Sequence, residues 1–452
     1  MRKRKWMAAL SVLLLSAGLV ACSSPKAPTK ESSEEKQKQQ SVEENSEAEA
    51  EPVTLRFMWW GGESRHEATL NVIKAFEDRY PNVKIEAEYG GDSGYREKLT
   101  TQLASGTAAD IIQNGTDWMS EITASGDFFV DISQYPDLFD TSDFDQNFLQ
   151  SFGVYRDKMV AVPTGVNVLT MVLNKQVLAE AGIEAEQDWT WEMVIDKGKM
   201  VHQSNPDRYF LALSSNNLAE FVVRSGVIQQ SGSQFINDDN SLGFDREQLL
   251  KMMGYVKELF DSEVIPPLDE TLLYTQVYDD PRWVNGGYGG SIVWTSAMTP
   301  YLDASESLSE HAVCVNLPGF ADEKNSGILI RPSQVYNINK DTASVEYCLK
   351  FLDFMFNDPE AQEILKSSRG IPPTKSAQKL LEEKELVPPV VIDATEKGLA
   401  DAGITLNDAS YQEQLRVILI DNIQAIAFGQ STPEEATDNI IEQFTNALNN
   451  AN

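Results

Sequence analysis

The stretch VTLRFMWWGGESRHEATLNVIKAFEDRYPNVKIEAEY, residues 53–89, decides the fold. It begins with an alternation of apolar and other side chains over Val53–Met58, which predicts a β-strand. The helix predicted after it has one apolar face, formed at three- and four-residue spacing by Leu70, Ile73, Phe76 and Tyr80. A proline and an asparagine end that helix, and a second alternating strand begins at Val83. The stretch therefore predicts a β-α-β unit with parallel strands and a right-handed crossover.

Two adjacent tryptophans, Trp59 and Trp60, lie at the carboxyl end of the first predicted strand. Ligands bind beyond this end in open parallel sheets. Neighbouring residues of a strand face opposite ways, so the two indoles cannot both enter the core. We predict that Trp59 and Trp60 contribute to a ligand cleft. The alternative is that both are packing residues under the loops.

Residues 1–51 have the composition of an export signal followed by a tether. Basic residues at positions 2–5 precede an apolar run over Trp6–Val20, which predicts a signal peptide over residues 1–21. Leu19-Val20-Ala21-Cys22 resembles the lipobox of bacterial lipoproteins, and the resemblance implies that Cys22 carries acyl chains. A plain secretory signal with a chance cysteine is the alternative. Residues 22–51 lack aromatic side chains and are rich in Ser, Glu, Lys and Gln, which predicts a disordered tether after the lipidated cysteine.

The overall charge limits the possible partners. The chain has 69 acidic and 37 basic residues, giving a formal net charge of −32. This balance argues against nucleic acid and against charge-driven binding to anionic lipid. The roughly 400 residues after the tether exceed one typical core, so two lobes are expected. Cys314 and Cys348 both lie in apolar segments and are predicted to be buried free thiols, although a bridge between them stays open.

Polar and aromatic side chains also follow the third predicted strand, Ala109–Gln113. We predict that Asn114, Asp117 and Trp118 lie on the same rim as the two tryptophans. For Asp117 the alternative is a helix cap, and the two roles are compatible. No cofactor or metal site is predicted. The segment 237–243 has the look of a calcium loop but lacks the required ligands, so we interpret it as a hairpin turn.

Several runs carry a resemblance to a known family: FEDRYPNVKIEAEY, LASGTAADII, VAVPTGVNVLTMVLNKQVLAEAG, TWEMV, GGSIVWTSAM and GIPPTKSA. From Val53 to the C-terminus the chain resembles the extracellular solute-binding proteins of family 1, which are sugar-binding lipoproteins of bacterial ABC importers. The resemblance implies an α/β protein with the type II periplasmic-binding fold, whose two discontinuous lobes are joined by a hinge. The first lobe is expected at residues 53–165 plus 318–372, and the second at residues 166–317 plus 373–452.

The same resemblance implies the partners and the location. The ligand would be a carbohydrate, and the protein would pass it to the permease subunits of an ABC transporter. A monomer is expected on the outer face of the cell membrane, held there through Cys22, in a Gram-positive organism.

In the second lobe, polar side chains at strand ends are the candidates for ligand contact. Asn167 precedes an unbroken apolar strand over Val168–Leu173, and Ser215 and Asn216 follow another strand. A turn asparagine is the alternative for Asn167, where the maltodextrin-binding relatives carry a carboxylate. Those relatives place aromatic contacts near the start of the penultimate helix, where this chain has Arg416.

Trp294, Thr295 and Ser296 end a strand predicted at Ser291–Trp294. By resemblance this end faces the cleft, with Trp294 stacking on the sugar and its neighbours hydrogen-bonding. An interlobe packing tryptophan is the alternative. The preceding segment 285–290 has four glycines and is interpreted as too glycine-rich for a strand interior.

Two other functions are compatible with the sequence. A secreted glycoside hydrolase would use a pair of carboxylates, but with 69 acidic residues a pair can always be found. No HExxH or GxSxG motif occurs, and the three histidines lie far apart in the chain without a nucleophile pattern, so an enzyme is not predicted. A sensor that presents its ligand to a membrane kinase would look the same as a transport receptor.

Overall fold

The computed structural model describes residues 51–91, 93–274 and 276–450, which form two five-stranded mixed sheets flanked by helices and a small two-stranded sheet. The predicted signal peptide, the lipobox with Cys22 and the tether up to residue 50 lie outside the described residues. The described residues belong to one compact unit, residues 50–452. No helix among them is both long enough and apolar enough to span a bilayer.

The strands, in chain order, are β1 Val53–Trp60, β2 Val83–Gly90, β3 Ile111–Asn114, β4 Val154–Tyr155, β5 Lys158–Met159, β6 Val162–Pro163, β7 Val166–Asn174, β8 Tyr209–Leu211, β9 Tyr288–Trp294, β10 Ala312–Val315, β11 Ile330–Pro332 and β12 Val335–Ile338.

The α-helices are α1 Glu63–Arg79, α2 Tyr95–Ser105, α3 Met119–Ser125, α4 Gln146–Gly153, α5 Lys175–Glu180, α6 Trp191–Ser204, α7 Ser215–Asn217, α8 Arg224–Ser231, α9 Arg246–Asp261, α10 Leu268–Thr271, α11 Pro281–Val284, α12 Met298–Asp303, α13 Glu306–His311, α14 Val345–Asn357, α15 Pro359–Leu365, α16 Lys375–Glu383, α17 Pro389–Ala400, α18 Glu413–Ala427 and α19 Pro433–Asn450. A π-helical segment, Leu218–Val223, leads into α8. Short 3-10 turns include Thr116–Trp118, Thr295–Ala297 and Asp408–Tyr411.

The first sheet has the strand order β2-β1-β3-β12-β6. β1 and β2 pair in parallel from Val53 opposite Val83, so the predicted β-α-β unit is confirmed. The buried face of α1 differs from the predicted stripe, because Leu70 is 36% exposed while Thr69 is fully buried. Thr69 is accommodated because its hydroxyl donates to the Arg65 carbonyl at 2.7 Å and accepts from Arg369 at 2.6 Å.

The second sheet has the order β10-β7-β9-β8, and β11 also pairs with β7. β7 is buried along its whole length, which confirms the buried strand predicted at Val168–Leu173, and its polar residues Asn167, Thr170 and Asn174 are hydrogen-bonded. The expectation that segment 285–290 is too glycine-rich for a strand is wrong, because β9 begins at Tyr288. A Cβ at Gly290 would overlap the carbonyl oxygen of Val172 on the neighbouring strand, so glycine is what lets the two strands pair.

The chain crosses between the two sheets at three adjacent places. β6 leads to β7 through Gly165, and the amide of Ser333, between β11 and β12, donates to the Gly165 carbonyl at 3.1 Å. The third crossing contributes the carbonyl of Ile371, which accepts from the Val166 amide at 2.7 Å. A Cβ at Gly165 would overlap the carbonyl oxygen of Arg369, so the crossings pack backbone against backbone.

The predicted lobe boundary at residue 318 differs from this strand pairing. β11 falls in the range predicted for the first lobe, but it pairs antiparallel with β7 of the second sheet. The crossing between sheets therefore lies at residues 333–334. A three-residue strand containing an arginine and a proline gives no alternating pattern from which its partner could be predicted. The division of the chain into the two predicted lobes stays a prediction.

Helix caps follow the sequence closely. Thr190 is a residue type that favours the N-cap position, and its hydroxyl accepts from the Met193 amide at 3.1 Å at the start of α6. Thr432 and Glu435 exchange the two hydrogen bonds of a capping box before α19. The sequence also favours Asp341 or Thr342 as the cap of the helix that runs to residue 356, and this prediction is wrong, because α14 begins after Ser344. The Thr342 hydroxyl instead accepts from the Ser344 amide at 3.2 Å and so shapes the turn that precedes the helix.

Two further predictions concern cysteine and the apparent calcium loop. Cys314 and Cys348 are both free and fully buried, which confirms the predicted thiols. Burial raises the pKa of each thiol to about 12, so both stay protonated at neutral pH. In the apparent calcium loop, Ile236 bridges Leu242 antiparallel and the Asn237 amide donates to the Ser241 carbonyl, as in the predicted hairpin turn.

Candidate functional site

A cavity of about 580 Å³, hereafter the cleft cavity, is lined by segments that follow strands of both sheets. One side of its wall comes from the segments after β3 and around α4 and β4: Thr116, Asp117, Ser120, Ser151, Phe152 and Tyr155. The other side is formed by β11, the π-helical segment, the turn after α8 and the chain before and into α18: Ile330, Arg331, Glu220, Gln234, Asp238, Thr405, Leu406, Asn407, Tyr411, Glu413 and Arg416. The 3-10 turns Thr116–Trp118 and Asp408–Tyr411 contact each other across it.

Asp117 and Arg416 are the two predicted site residues that lie in the wall of the cleft cavity. Asp117 is exposed and belongs to a 3-10 turn that begins after Gly115 without a side-chain cap. The helix that follows, α3, also starts without one. The alternative role of Asp117 as a helix cap is therefore wrong, and its carboxylate is available to the cavity.

Arg416 connects the cleft cavity to the predicted residues Ser215 and Asn216. Its guanidinium donates to the Asn216 side-chain oxygen and pairs with Glu413. The hydrogen bond between them raises the pKa of Arg416 and lowers the pKa of the Glu413 carboxyl. Ser215 is buried and accepts from the Gln424 amide at 3.3 Å, so it fixes α7 against α18.

Asn216 also lines a second cavity, of about 310 Å³, which lies between the segment after β8 and the start of β9. Three tyrosines, Tyr274, Tyr288 and Tyr301, contribute aromatic surface to it. Burial raises the pKa of Tyr301 to about 12, so the hydroxyl remains a hydrogen-bond donor at neutral pH.

The paired tryptophans at the end of β1 separate as strand geometry requires. Trp59 is fully buried, stacks on Tyr89 with ring centroids 4.9 Å apart, and donates from Nε1 to Nδ1 of His66 at 3.1 Å. The structure thus places Trp59 in the core, with no face left for a ligand. Trp60 is partly buried and stacks on Trp118 at 5.0 Å. Trp60 and Trp118 form an aromatic pair beside the cleft cavity wall and stay predicted ligand contacts.

Asn114 is also in the interior. It is fully buried at the end of β3, and its side-chain amide donates to the Asn337 oxygen at 2.6 Å across to β12. The prediction placed Asn114 on the rim because it follows a strand. The structure turns it toward the neighbouring strand, where a hydrogen-bond partner is present.

The predicted group at the end of β9 mainly holds the crossing between the sheets together. Thr295 is buried and its hydroxyl accepts from the Val168 amide at 3.1 Å. Asn167 accepts from the Ser296 amide and donates to the Ser333 hydroxyl, each at 3.2 Å. Asn167 is therefore bonded to two crossing segments. The Ser296 side chain is exposed.

Trp294 is partly buried, and its ring lies perpendicular to that of Phe221 with the ring centroids 6.0 Å apart. The guanidinium of Arg331 lies over the Trp294 ring, 4.5 Å from its centroid. Arg331 itself lines the cleft cavity, so the predicted stacking surface is reached through this arginine.

Sequence reasoning missed Arg331, along with Glu220, Tyr155 and Asn407 of the wall. The sequence does contain a signal for Arg331, because it is the one charged residue in the run GILIRPSQVYNIN. A charged side chain is rarely placed in such an uncharged segment unless it has a partner or a function. The others lie on the π-helical segment (Glu220), the two-residue strand β4 (Tyr155) and the turn before α18 (Asn407), which long-range packing brings to the cavity.

The comparisons with known proteins agree with this fold. Residues 62–362 match the family model described as bacterial extracellular solute-binding protein. The periplasmic solute-binding protein of Pectobacterium atrosepticum is 27% identical, with 88% of this chain and 99% of that chain covered and a TM-score of 0.73. The periplasmic oligogalacturonide-binding protein of Yersinia enterocolitica, solved with saturated digalacturonic acid, is 26% identical over 88% and 99% of the two chains, with a TM-score of 0.70.

Among curated relatives, the sn-glycerol-3-phosphate-binding periplasmic protein of Escherichia coli is 22% identical over 404 residues, which are 84% of this chain and 88% of that one. The chain spans about half the length of the curated relatives it matches first. The family match covers well over half of the chain, and the structural likeness extends over nearly all of its described part. The protein is therefore a member of the bacterial extracellular solute-binding protein family.

Proposed function

We propose that this protein is a lipid-anchored receptor that captures a carbohydrate in the cleft cavity and delivers it to the permease of an ABC importer. The observation that carries the proposal is the composition of the cavity wall. Aromatic rings, amides, hydroxyls and charged groups converge there from segments of both sheets. Aromatic faces match the apolar faces of pyranose rings, and the polar groups match their hydroxyls.

The size of the cavity and the relatives support the same proposal. A volume of about 580 Å³ falls in the range of small-molecule sites and favours an oligosaccharide over a single small solute. The Yersinia relative is named for binding oligogalacturonide. Closing both sides of the wall on a ligand would exclude water from these hydrogen bonds and turn occupancy into a shape that a permease can recognise.

A calorimetric screen across plant, host and bacterial oligosaccharides tests the receptor function. At least one sugar is expected to bind with one-to-one stoichiometry. The bound sugar should be recovered intact, with no new reducing ends after prolonged incubation. Repeated turnover would instead show a glycoside hydrolase. If no carbohydrate binds while sn-glycerol 3-phosphate does, the ligand class is wrong.

The lipid anchor rests on the sequence Leu19–Cys22 and has its own test. In a Gram-positive host, Cys22→Ala should release the protein into the medium or block its processing, because no acyl chains can be attached. A Ser23→Ala variant serves as the control and should stay membrane-bound. Unchanged retention of Cys22→Ala would contradict the anchor.

A further inference from the structure

The structure points to a ligand that carries a carboxylate: we propose that Arg331 binds the carboxylate of an acidic sugar, such as a uronic acid residue, in the cleft cavity. This inference rests on the proposed carbohydrate-binding function and adds to it the charge of the substrate.

Arg331 is held in place on both its backbone and its side chain. It is the middle residue of β11, where it lies opposite Asn167 of β7, in the register that runs from Ile330 to Pro332. Its guanidinium lies 4.5 Å from the centroid of the Trp294 ring. An arginine stacked on an indole has lost much of its rotational freedom, so less entropy remains to be lost when it binds a ligand.

The positive charge of Arg331 is unbalanced among the described residues. The guanidinium forms no hydrogen bond or ion pair with any of them, although the residue is partly buried. The other arginine of the wall, Arg416, is paired with Glu413. Glu220 is paired with the buried Arg224, 3.0 Å away. Both of these acidic side chains of the wall thus have cationic partners, and Arg331 does not.

Two wall carboxylates remain, and neither neutralises Arg331. Asp238 is exposed and accepts from the Asn407 amide at 2.7 Å. Asp117 is exposed on the opposite side of the wall. Charges in contact with solvent are strongly screened, whereas a partly buried guanidinium is screened less. These two carboxylates are suited to accept hydrogen bonds from sugar hydroxyls.

The planar shape of the Arg331 guanidinium favours a carboxylate over a hydroxyl as its partner. A guanidinium carries its N–H donors in one plane, and no hydrogen bond to a described residue uses those of Arg331. A carboxylate accepts two parallel hydrogen bonds in that plane, while a single hydroxyl can accept only one. One unpaired cation also matches the single negative charge of a carboxylate. A doubly charged phosphate monoester would call for a second unpaired cation, which the described wall does not offer.

The test compares matched sugar pairs on the full mature chain by calorimetry. The probes are disaccharides of galacturonic, glucuronic and mannuronic acid, each paired with the neutral sugar in which both carboxylates are reduced to primary alcohols. We expect at least one acidic disaccharide to bind ten times or more tightly than its neutral partner, and we expect 0.5 M salt to weaken that preference.

Three variants locate the preference. Arg331→Gln should reduce the preference to less than threefold while leaving the affinity for the neutral sugar within threefold. Arg331→Lys should keep part of it, because the charge remains but the planar fork is lost. Arg246→Gln removes an exposed arginine paired with Asp438 and should leave both affinities unchanged. Thermal unfolding of each unliganded variant verifies that the fold is intact.

The outcomes separate this inference from the proposed function. Equal or tighter binding of the neutral sugars, or a preference that survives in Arg331→Gln, overturns the role of Arg331 while the carbohydrate receptor stands. Binding of sn-glycerol 3-phosphate in place of every sugar, or no binding of any sugar in the wider screen, overturns the proposed function itself.

Discussion

Trp59 and Trp60 are consecutive residues with opposite surroundings, which shows how much strand geometry decides for a single residue. Trp59 packs against Phe57 and Tyr89 without any exposure, and Trp60 lies partly exposed against Tyr95 and Trp118. The sequence predicted that the two rings separate. It could not predict which ring enters the core, because that depends on the side of the sheet that α1 covers.

Replacing each tryptophan by alanine should therefore have unequal effects on stability. Trp59→Ala leaves a large cavity in the core and should lower the free energy of unfolding by about 3–5 kcal/mol. Trp60→Ala removes a partly exposed ring and should cost about 1–2 kcal/mol. Urea denaturation followed by far-ultraviolet circular dichroism measures both. Equal losses would contradict the assignment of Trp59 to the core and of Trp60 to the rim.

The same variants address ligand contact. In calorimetry with a bound sugar, Trp60→Ala should weaken binding by tenfold or more if Trp60 stacks on the ligand, because a buried aromatic contact is lost. An unchanged affinity would make the aromatic pair a packing feature.

Polar candidate residues were harder to predict than aromatic ones. Asn114, Asn167 and Thr295 all follow or begin strands near the expected cleft, yet each one bonds to neighbouring backbone or side chains. A polar residue at a strand end can form its hydrogen bonds with a crossing segment or with a ligand, and the sequence of the strand is the same in both cases. Only the positions of the other strands distinguish the two roles.

At the scale of single elements, two glycines in helices have different effects on packing, which the amino-acid composition does not show. Gly398 lies in α17, and a Cβ there would overlap Cγ1 of Val168 in β7. Gly254 lies in the middle of α9, and a Cβ there would meet nothing within 4 Å. The first glycine allows a helix to approach a strand closely, while the second weakens its helix without a packing benefit.

The substitutions Gly398→Ala and Gly254→Ala should change stability in opposite directions. Gly398→Ala should lower the free energy of unfolding by about 1–3 kcal/mol, because Val168 is β-branched and fully buried and cannot move aside. Gly254→Ala should raise it by up to about 1 kcal/mol through improved helix propensity. Thermal and urea unfolding of the two variants form a matched pair. Stabilisation by Gly398→Ala would mean that α17 and β7 are less closely packed than described.

Elements with strong periodicity were predictable, and short ones were not. β1, α1, β2 and the buried β7 follow their hydrophobic patterns. β11 has three residues, and because it pairs with β7, the crossing between the sheets lies at residues 333–334 and not at the predicted boundary, residue 318. Its location depends on long-range pairing, so the sequence also gave no indication that Arg331 reaches the cleft cavity.

At the scale of the whole molecule, three crossings bonded side by side connect the two sheets. Their amides and carbonyls pair through Gly165, Val166, Ser333 and Ile371. Connections of this kind can act as hinges, in which dihedral changes at a few residues move one part of a protein relative to another. We expect bending at these crossings to bring the two sides of the cleft cavity together.

Ligand binding should therefore stabilise and compact the protein. At a free sugar concentration of 100 times Kd, the free energy of unfolding should rise by about 2.7 kcal/mol, since the ligand binds only the folded state. Small-angle X-ray scattering should show a smaller radius of gyration with the sugar than without it. A sugar that binds without either change would contradict closure around the cleft cavity.

The burial of both described thiols has a practical consequence for building a fluorescent sugar sensor. Cys314 and Cys348 are fully enclosed, and their raised pKa keeps them in the weakly nucleophilic thiol form at neutral pH. In a chain that carries Cys22→Ala, a Ser120→Cys substitution in the cleft cavity wall would provide the one thiol open to a maleimide dye. The natural cysteines could remain in place, and the dye would report the arrival of a sugar directly from the wall that receives it.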